Sequence, residues 1–227
     1  MKSIIILLLT LAPLSLWAQD TLPDSIQQQT PNARSEEEAS ESIQKLVDSV
    51  AMNFIQQKRQ EQVKSIAGLR FGTLKEDAQV FLINKFGTYE RPSNNRELAF
   101  KNIRYAGVDF SFVMFLFQSD GINSFFNQCV FAISTKTLEE ALKEQENLKN
   151  TLSQKYELFE TKGEYGPMYL GGVNPLWDGK VETYFNSTSL ISAFIVDIIK
   201  YPESDYSGNQ YAVRLNYGPY PYVHEEF

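Results

Sequence analysis

The side chains that most often carry out acid–base or nucleophilic chemistry are scarce in this chain of 227 residues. It has one histidine, His224, close to its carboxyl end, and one cysteine, Cys129. A catalytic triad or a histidine-based metal cage needs further partners of these types, so neither can form. Cys129 is flanked by Val130 and Phe131, and burial among apolar groups raises the pKa of a thiol and suppresses its nucleophilicity. We therefore predict no catalytic residue, no bound metal and no cofactor.

Carboxylates are plentiful, with 28 Asp and Glu residues, so a paired acid and base stays open as an alternative. Four of them, Glu139, Glu140, Glu144 and Glu146, are interpreted as a solvated helix side. The oxygen-rich segment 205–209 matches neither the length nor the glycine position of an EF-hand loop, and the chain has no phosphate-binding glycine loop. The favoured prediction is a protein that is not an enzyme, and a hydrolase with an unrecognised carboxylate site is the alternative.

Aromatic residues are the most unusual feature of the carboxyl-terminal half. Nine of the twelve tyrosines lie from Tyr165 onward, together with Trp177. Tyrosine and tryptophan offer a flat apolar ring with a polar tip, which suits packing, protein interfaces and sugar rings alike. Three interpretations follow: the rings pack the core, they recognise a protein partner, or they bind a glycan. In the glycan interpretation, Trp177 with Tyr165 or Tyr169 is the predicted binding site.

The amino-terminal segment has the features of a secretory signal peptide. Lys2 precedes a short apolar core interrupted by Pro13, and the segment ends at Ala18 before polar residues. We therefore expect residues 1–18 to be removed, so that the mature protein begins near Gln19. No cysteine follows the apolar core, which argues against a lipid anchor. These features predict an exported, soluble protein, periplasmic or secreted, with no membrane insertion after cleavage.

The charge and the segment after the signal peptide limit the partners further. The formal net charge is −7, so phosphate backbones repel the protein and nucleic acid is not an expected partner. Residues 19–34 are polar and read as a flexible leader. Within it, Thr21 and Ser25 lie in tripeptides, Asp-Thr-Leu and Asp-Ser-Ile, that resemble the O-glycosylation tripeptide of some Gram-negative bacteria. The leader is thus either a glycosylated segment or a plain tether.

An amphipathic helix is predicted over residues 35–62. Ser35 and Glu38 match a capping box. Apolar residues then recur at spacings of three and four, which places them on one stripe: Ile43, Leu46, Val47, Val50, Ala51, Phe54 and Ile55. Such a stripe packs on the protein's own core, or it forms a seam with a partner helix or a second copy.

Two units of one helix and three antiparallel strands are predicted after this helix, over residues 63–136 and 137–227. Each helix starts at a capping-box match, Thr73 to Glu76 in the first unit and Thr137 to Glu140 in the second. The predicted strands of the first unit are 98–105, 108–117 and 123–134, and those of the second unit are 180–186, 190–201 and 211–217. The run Phe112 to Phe117 is apolar throughout, so we expect a central strand with both faces covered.

The segment Ile66 to Gly87 combines an apolar lead-in, Phe71-Gly72-Thr73, a capped helix carrying Val80, and a closing glycine. It resembles the repeat of the beta-lactamase inhibitor protein family and is similar to the related small domains of outer-membrane assembly lipoproteins. These families pack helices on one face of an antiparallel sheet, and the resemblance implies the same α+β arrangement here. The chain lacks their disulfide and lipid-bearing cysteines, so no binding residue is carried over.

The sequence as a whole predicts an α+β protein of tandem helix-and-sheet units behind an amphipathic helix. Missing catalytic groups and concentrated aromatics favour a non-catalytic binding module that recognises a cell-envelope protein. A glycan-binding protein and a hydrolase are the alternatives, and the oligomeric state is left open.

Overall fold

The computed structural model describes residues 33–90, 96–181, 184, 191–203 and 208–220. The predicted signal peptide, nearly all of the predicted leader with Thr21 and Ser25, and His224 lie outside the described residues. The chain is an α+β protein, as predicted. Its described elements are, in order, α1 (Ala33–Gln60), β1 (Ser65–Ile66), β2 (Leu69–Arg70), α2 (Lys75–Phe86), β3 (Glu97–Tyr105), β4 (Val108–Ser119), β5 (Ser124–Thr135), α3 (Leu138–Ser153), β6 (Leu158–Lys162), β7 (Pro167–Gly171), β8 (Phe194–Lys200) and β9 (Tyr211–Tyr217).

The first helix-and-sheet segment agrees with its prediction to within a residue or two at almost every strand end. β3 and β4 meet at a two-residue turn in which Ala106 and Gly107 have φ of 50° and 82°. Positive φ at both central residues is the geometry of a tight hairpin turn. At the next turn, the Asp120 carboxylate accepts hydrogen bonds from the Ile122 and Asn123 amides. Local turn chemistry therefore sets the register of these three strands.

The helix caps agree only in part with the capping-box predictions. At α3, the Thr137 hydroxyl accepts from the Glu140 amide and the Glu140 carboxylate accepts from the Thr137 amide, both at 3.2 Å, which confirms that box. At α2, the cap residue is Leu74, and the Thr73 hydroxyl instead donates to the Arg70 carbonyl at 2.7 Å. The box predicted at Thr73 is therefore wrong, because the hydroxyl closes the preceding turn.

All strands from β3 onward join one antiparallel sheet in the order β3-β4-β5-β9-β8-β7-β6. β5 pairs with β9 from Cys129↔Tyr217 to Thr135↔Tyr211, which links the two predicted helix-and-sheet segments through one ladder. The strand predicted at 180–186 is wrong, because Val181 and Tyr184 are helical. β6 and β7 take its place in the sheet.

The sequence did not predict β7, because its proline and glycine are typical of loops. The sheet needs the glycine: a Cβ on Gly171 would lie 2.6 Å from both Leu158 Cδ2 and Phe194 Cζ. Gly171 therefore lies where neighbouring strands approach closely. In the sequence, a glycine suggests a turn and gives no sign of such a contact.

One face of the sheet forms the main core with the helices. Ala78 and Leu82 from α2, with Ala141 and Leu148 from α3, join a buried cluster with the sheet residues of this side. Its central cross-strand row is Phe100, Val113, Phe131, Leu215 and Val196. Cys129 is fully buried in the same cluster, and burial raises the pKa of its thiol well above the usual value, as predicted.

The opposite face departs from the expectation for Phe112 to Phe117. β4 does have a strand on each side, as predicted. Val113, Phe115 and Phe117 are buried, but Phe112, Met114 and Leu116 are only half-buried. The expectation that both faces of this strand are covered is therefore wrong: helices pack on one face only among the described elements.

The chain separates into two compact units, residues 1–47 and 48–227. In the first, α1 exposes Ile43 by 56% and Leu46 by 65%. In the second, Phe54 and Ile55 of α1 pack against a small cluster of Val173, Trp177, Tyr184 and Ile191. No helix within the described ranges is long and apolar enough to cross a membrane.

Candidate functional site

The side of the sheet opposite the main core, which we call the open face, carries several half-buried apolar residues. A cross-strand row runs across it through all seven strands, because directly paired residues point to the same side of a sheet. The row consists of Ala99, Met114, Val130, Asn216, Ile195, Leu170 and Phe159. Six of these seven residues are apolar, and the row spans about 29 Å at the usual strand spacing. Val130 and Leu170 are buried, each 8% exposed, and the other apolar residues of the row are half-buried.

A second row lies beside the first and carries a central ion pair. It consists of Lys101, Phe112, Ala132, Arg214 and Asp197. The Arg214 guanidinium donates from Nε to Asp197 Oδ1 at 3.0 Å and from Nη2 to Oδ2 at 2.6 Å. This bidentate pair is about one-third exposed at the arginine and less at the carboxylate. The two parallel hydrogen bonds fix the orientation of the guanidinium on the open face.

Further polar groups of the open face form hydrogen bonds or ion pairs with neighbouring polar groups. Gln128 donates from Nε2 to Asn216 Oδ1 at 2.9 Å. The Ser134 and Tyr201 hydroxyls are 3.3 Å apart, and Lys101 pairs with Glu90 at 2.8 Å. The open face therefore carries mainly apolar residues along its first row, with the Arg214–Asp197 pair and Asn216 on its middle strands.

The residues predicted for glycan binding are found in the packed interior. Trp177 is 7% exposed, its indole donates to the Lys180 carbonyl at 3.2 Å, and it contacts Tyr184 edge to face. Tyr169 is 4% exposed in the main core. Tyr165 is half-buried and meets Tyr211 edge to face. Trp177 belongs to the small cluster and the two tyrosines to the main core, so the structure does not bring the three rings together on one exposed surface.

A buried cation, Lys58, lies outside the open face. Lys58, at the end of α1, is 4% exposed and lies 2.9 Å from a Glu61 oxygen and 3.4 Å from a Glu157 oxygen. Its ammonium also sits 5.2 Å from the ring centre of Tyr184. Burial by itself lowers the pKa of Lys58, but the hydrogen bonds that its ammonium donates to Glu61, together with the nearby Tyr184 hydroxyl, outweigh burial, so the pKa is raised. Lys58 therefore stays charged, and its ion pairs with Glu61 and Glu157 hold the last turn of α1 in place.

Carboxylates and concave surface give little support to catalysis. Within the described ranges, no group of three or more His, Cys, Asp or Glu residues could hold a metal ion. A surface depression of about 610 Å³ lies beside the β6–β7 hairpin, and one of about 390 Å³ lies between α3 and the β3–β4 turn. Asp109 and Glu144 are the two carboxylates that line the second, together with Asn147 and Thr151.

Sequence analysis missed the open face, although part of its signal was present. In β9, Arg214 and Asn216 alternate with core residues, which indicates one polar side. In β4, the apolar run hides the alternation because both sides of the strand are apolar. Which side stays open depends on where α2 and α3 pack.

Comparisons with protein-family models, with curated proteins and with solved structures find no match to this chain.

Proposed function

We propose that this chain is an exported, non-catalytic module that recognises a protein of the cell envelope through its open face. The observation that carries the proposal is the half-exposed apolar band of Phe112, Met114, Leu116 and Ile195 beside the Arg214–Asp197 pair. Aromatic residues, methionine and arginine are the types enriched in protein interfaces.

The dimensions of the open face support a protein partner over a small molecule. The seven strands span about 29 Å, and the seven residues of β8 or β9 extend about 23 Å. The resulting area, roughly 650 Å², approaches the ~800 Å² that each partner contributes to a standard protein interface. A small ligand instead needs a concave pocket that encloses most of its surface.

The glycan alternative has less support from the geometry. A sugar ring stacks on the exposed face of an aromatic side chain, whereas Trp177 and Tyr169 are both buried. Export itself rests on the sequence of residues 1–18, and the resemblance to inhibitor and assembly-protein domains adds an envelope location to the proposal. The α2–β3–β4–β5 order, one helix before three antiparallel strands, is compatible with that resemblance.

The proposal is tested by capture from a native envelope extract on immobilised protein. Wild type is compared with Met114→Asp on the open face and with Val80→Asp, a 63%-exposed position of α2, as the matched control. A captured protein is identified by mass spectrometry and purified, and its affinity for the three variants is measured. Binding that is equal for wild type and Val80→Asp but at least ~100-fold weaker for Met114→Asp supports the proposal. Equal binding to all three proteins contradicts the role of the open face.

A further inference from the structure

The carboxyl-terminal half of α1, residues 48–60, packs outside the main core. Its partly buried side chains Phe54 and Ile55 lie against the small cluster that contains Trp177 and Tyr184. Within the described ranges, no side chain of α1 belongs to the main core. The packing of this half of the helix is therefore separate from the packing of the sheet with α2 and α3.

The helix helps to cover the two aromatic rings of the small cluster. Tyr184 contacts Phe54 edge to face with ring centres 5.1 Å apart, and it contacts Trp177 in the same way at 5.8 Å. Both rings of the cluster are buried. Displacement of the helix would remove Phe54 from Tyr184 and return apolar area of the small cluster to water.

Lys58 connects the last turn of α1 to two segments that are distant in sequence. Its ammonium lies 3.4 Å from a carboxylate oxygen of Glu157, the residue before β6, and 5.2 Å from the ring centre of Tyr184. Movement of the helix separates Lys58 from both groups. A buried charge stabilises a structure only while its partners stay in place, so these contacts favour the closed position of the helix.

The chain immediately after α1 is fixed to the rest of the protein. The Glu61 carbonyl accepts a hydrogen bond from the Val173 amide at 3.1 Å, and the Val63 amide donates to the Val173 carbonyl at 3.0 Å. Val63 is itself buried in the main core. Hinges are commonly a few residues at the end of an element. The turn that follows Gln60 is therefore the point about which the helix moves.

We propose that residues 48–60 of α1 form a latch that opens and closes over the small cluster while the sheet stays folded. A region held by few buried contacts opens at a lower free energy than the core of the same protein. Trp177 and Tyr184 are covered in the closed state and accessible to solvent in the open state, so the position of the helix controls whether these rings are exposed. The latch involves no residue of the open face and is independent of the proposed function.

The rate of thiol labelling measures the opening of the latch. Val173→Cys places a thiol in the small cluster, and the native Cys129 lies in the main core; both positions are fully buried. In the protein that accumulates after expression of the full chain, we expect the thiol introduced by Val173→Cys to react at least ~100-fold faster than Cys129, because it needs only the latch to open. Equal rates for the two thiols overturn the proposal. If Val173→Cys does not fold, Ile191→Cys places the reporter in the same cluster.

Two further substitutions, each added to the Val173→Cys protein, separate latch opening from global unfolding. Lys58→Met removes contacts that exist only in the closed state, and we expect it to speed labelling at position 173 by about 10-fold or more. Val213→Ala is the control, because Val213 is fully buried in the main core and keeps its contacts whether the latch is open or closed. It is expected to speed labelling of Cys129 by about 10-fold or more and to change the rate at position 173 by less than ~2-fold. Equal acceleration of both thiols by Val213→Ala, or no effect of Lys58→Met at position 173, overturns the latch.

Discussion

Two phenylalanines on the same strand test whether the sheet has one packed and one open side. Phe115 is fully buried and contacts three other rings, Phe86, Phe100 and Phe126, at centroid distances of 6.1, 6.1 and 5.5 Å. Phe112 is half-buried on the open face. Replacement of each by alanine removes the same atoms from the same strand, so the difference between the two variants reports on the two faces.

The expected magnitudes differ by a factor of two or more. Removal of a core phenylalanine costs about 3–5 kcal/mol of unfolding free energy, because burial is lost and a cavity is left. The three ring contacts of Phe115 place Phe115→Ala toward the upper part of that range. For Phe112→Ala we expect about 1–2 kcal/mol, since part of the ring is already in water and no cavity closes over it. The difference is therefore about 2–3 kcal/mol.

Urea unfolding followed by tyrosine and tryptophan fluorescence measures this difference. With a slope of about 2 kcal/mol per molar urea, the midpoint of Phe115→Ala falls by roughly 2 M and that of Phe112→Ala by less than ~1 M. If Phe115→Ala does not fold, Phe115→Leu gives the same comparison with a smaller loss. Equal losses at the two positions would refute the reasoning, because they would mean that the open face is packed as tightly as the core.

Three other predictions concern groups outside the open face. Lys58→Met is expected to destabilise the protein at neutral pH. Because the folded pKa of Lys58 is raised above its usual 10.5, the stabilisation that Lys58 gives the folded state is fully present below pH 10.5 and disappears as the pH rises through the folded pKa. The stability difference between wild type and Lys58→Met, measured by urea unfolding from about pH 7 to 11, should stay level and then shrink; a difference that grows at high pH contradicts the assignment. Cys129 is expected to react with a thiol reagent only as fast as the protein unfolds, and rapid modification of the folded protein would show that its burial is incomplete. Trp177→Ala is expected to cost about 3 kcal/mol or more in thermal or urea unfolding and to leave a glycan-array profile unchanged, whereas loss of a glycan signal at native stability would revive the glycan alternative.

The middle of the fold could be predicted closely because its signals are local. The hairpins β3–β4 and β4–β5 are set by turn residues, and the α3 box by Thr137 and Glu140. Cys129 was correctly predicted as buried because it lies beside Val130 and Phe131 in a mainly apolar segment. By contrast, β7 and the helical conformation at Val181 and Tyr184 depend on contacts distant in sequence. Gly171 serves a close approach between strands, and Tyr184 packs against Phe54 and Trp177.

The scarcity of histidine and cysteine, and the apolar stripe of α1, are properties of the sequence by itself. Composition limits the available chemistry, and a spacing of three and four residues dictates which side chains share a helix face. Only the tertiary structure decided that Trp177 and Tyr169 are packing residues and that Phe112, Met114 and Leu116 form an open face. The physical reason is that an apolar residue carries the same driving force for burial wherever it lies, so what covers it is decided by the elements that pack nearby.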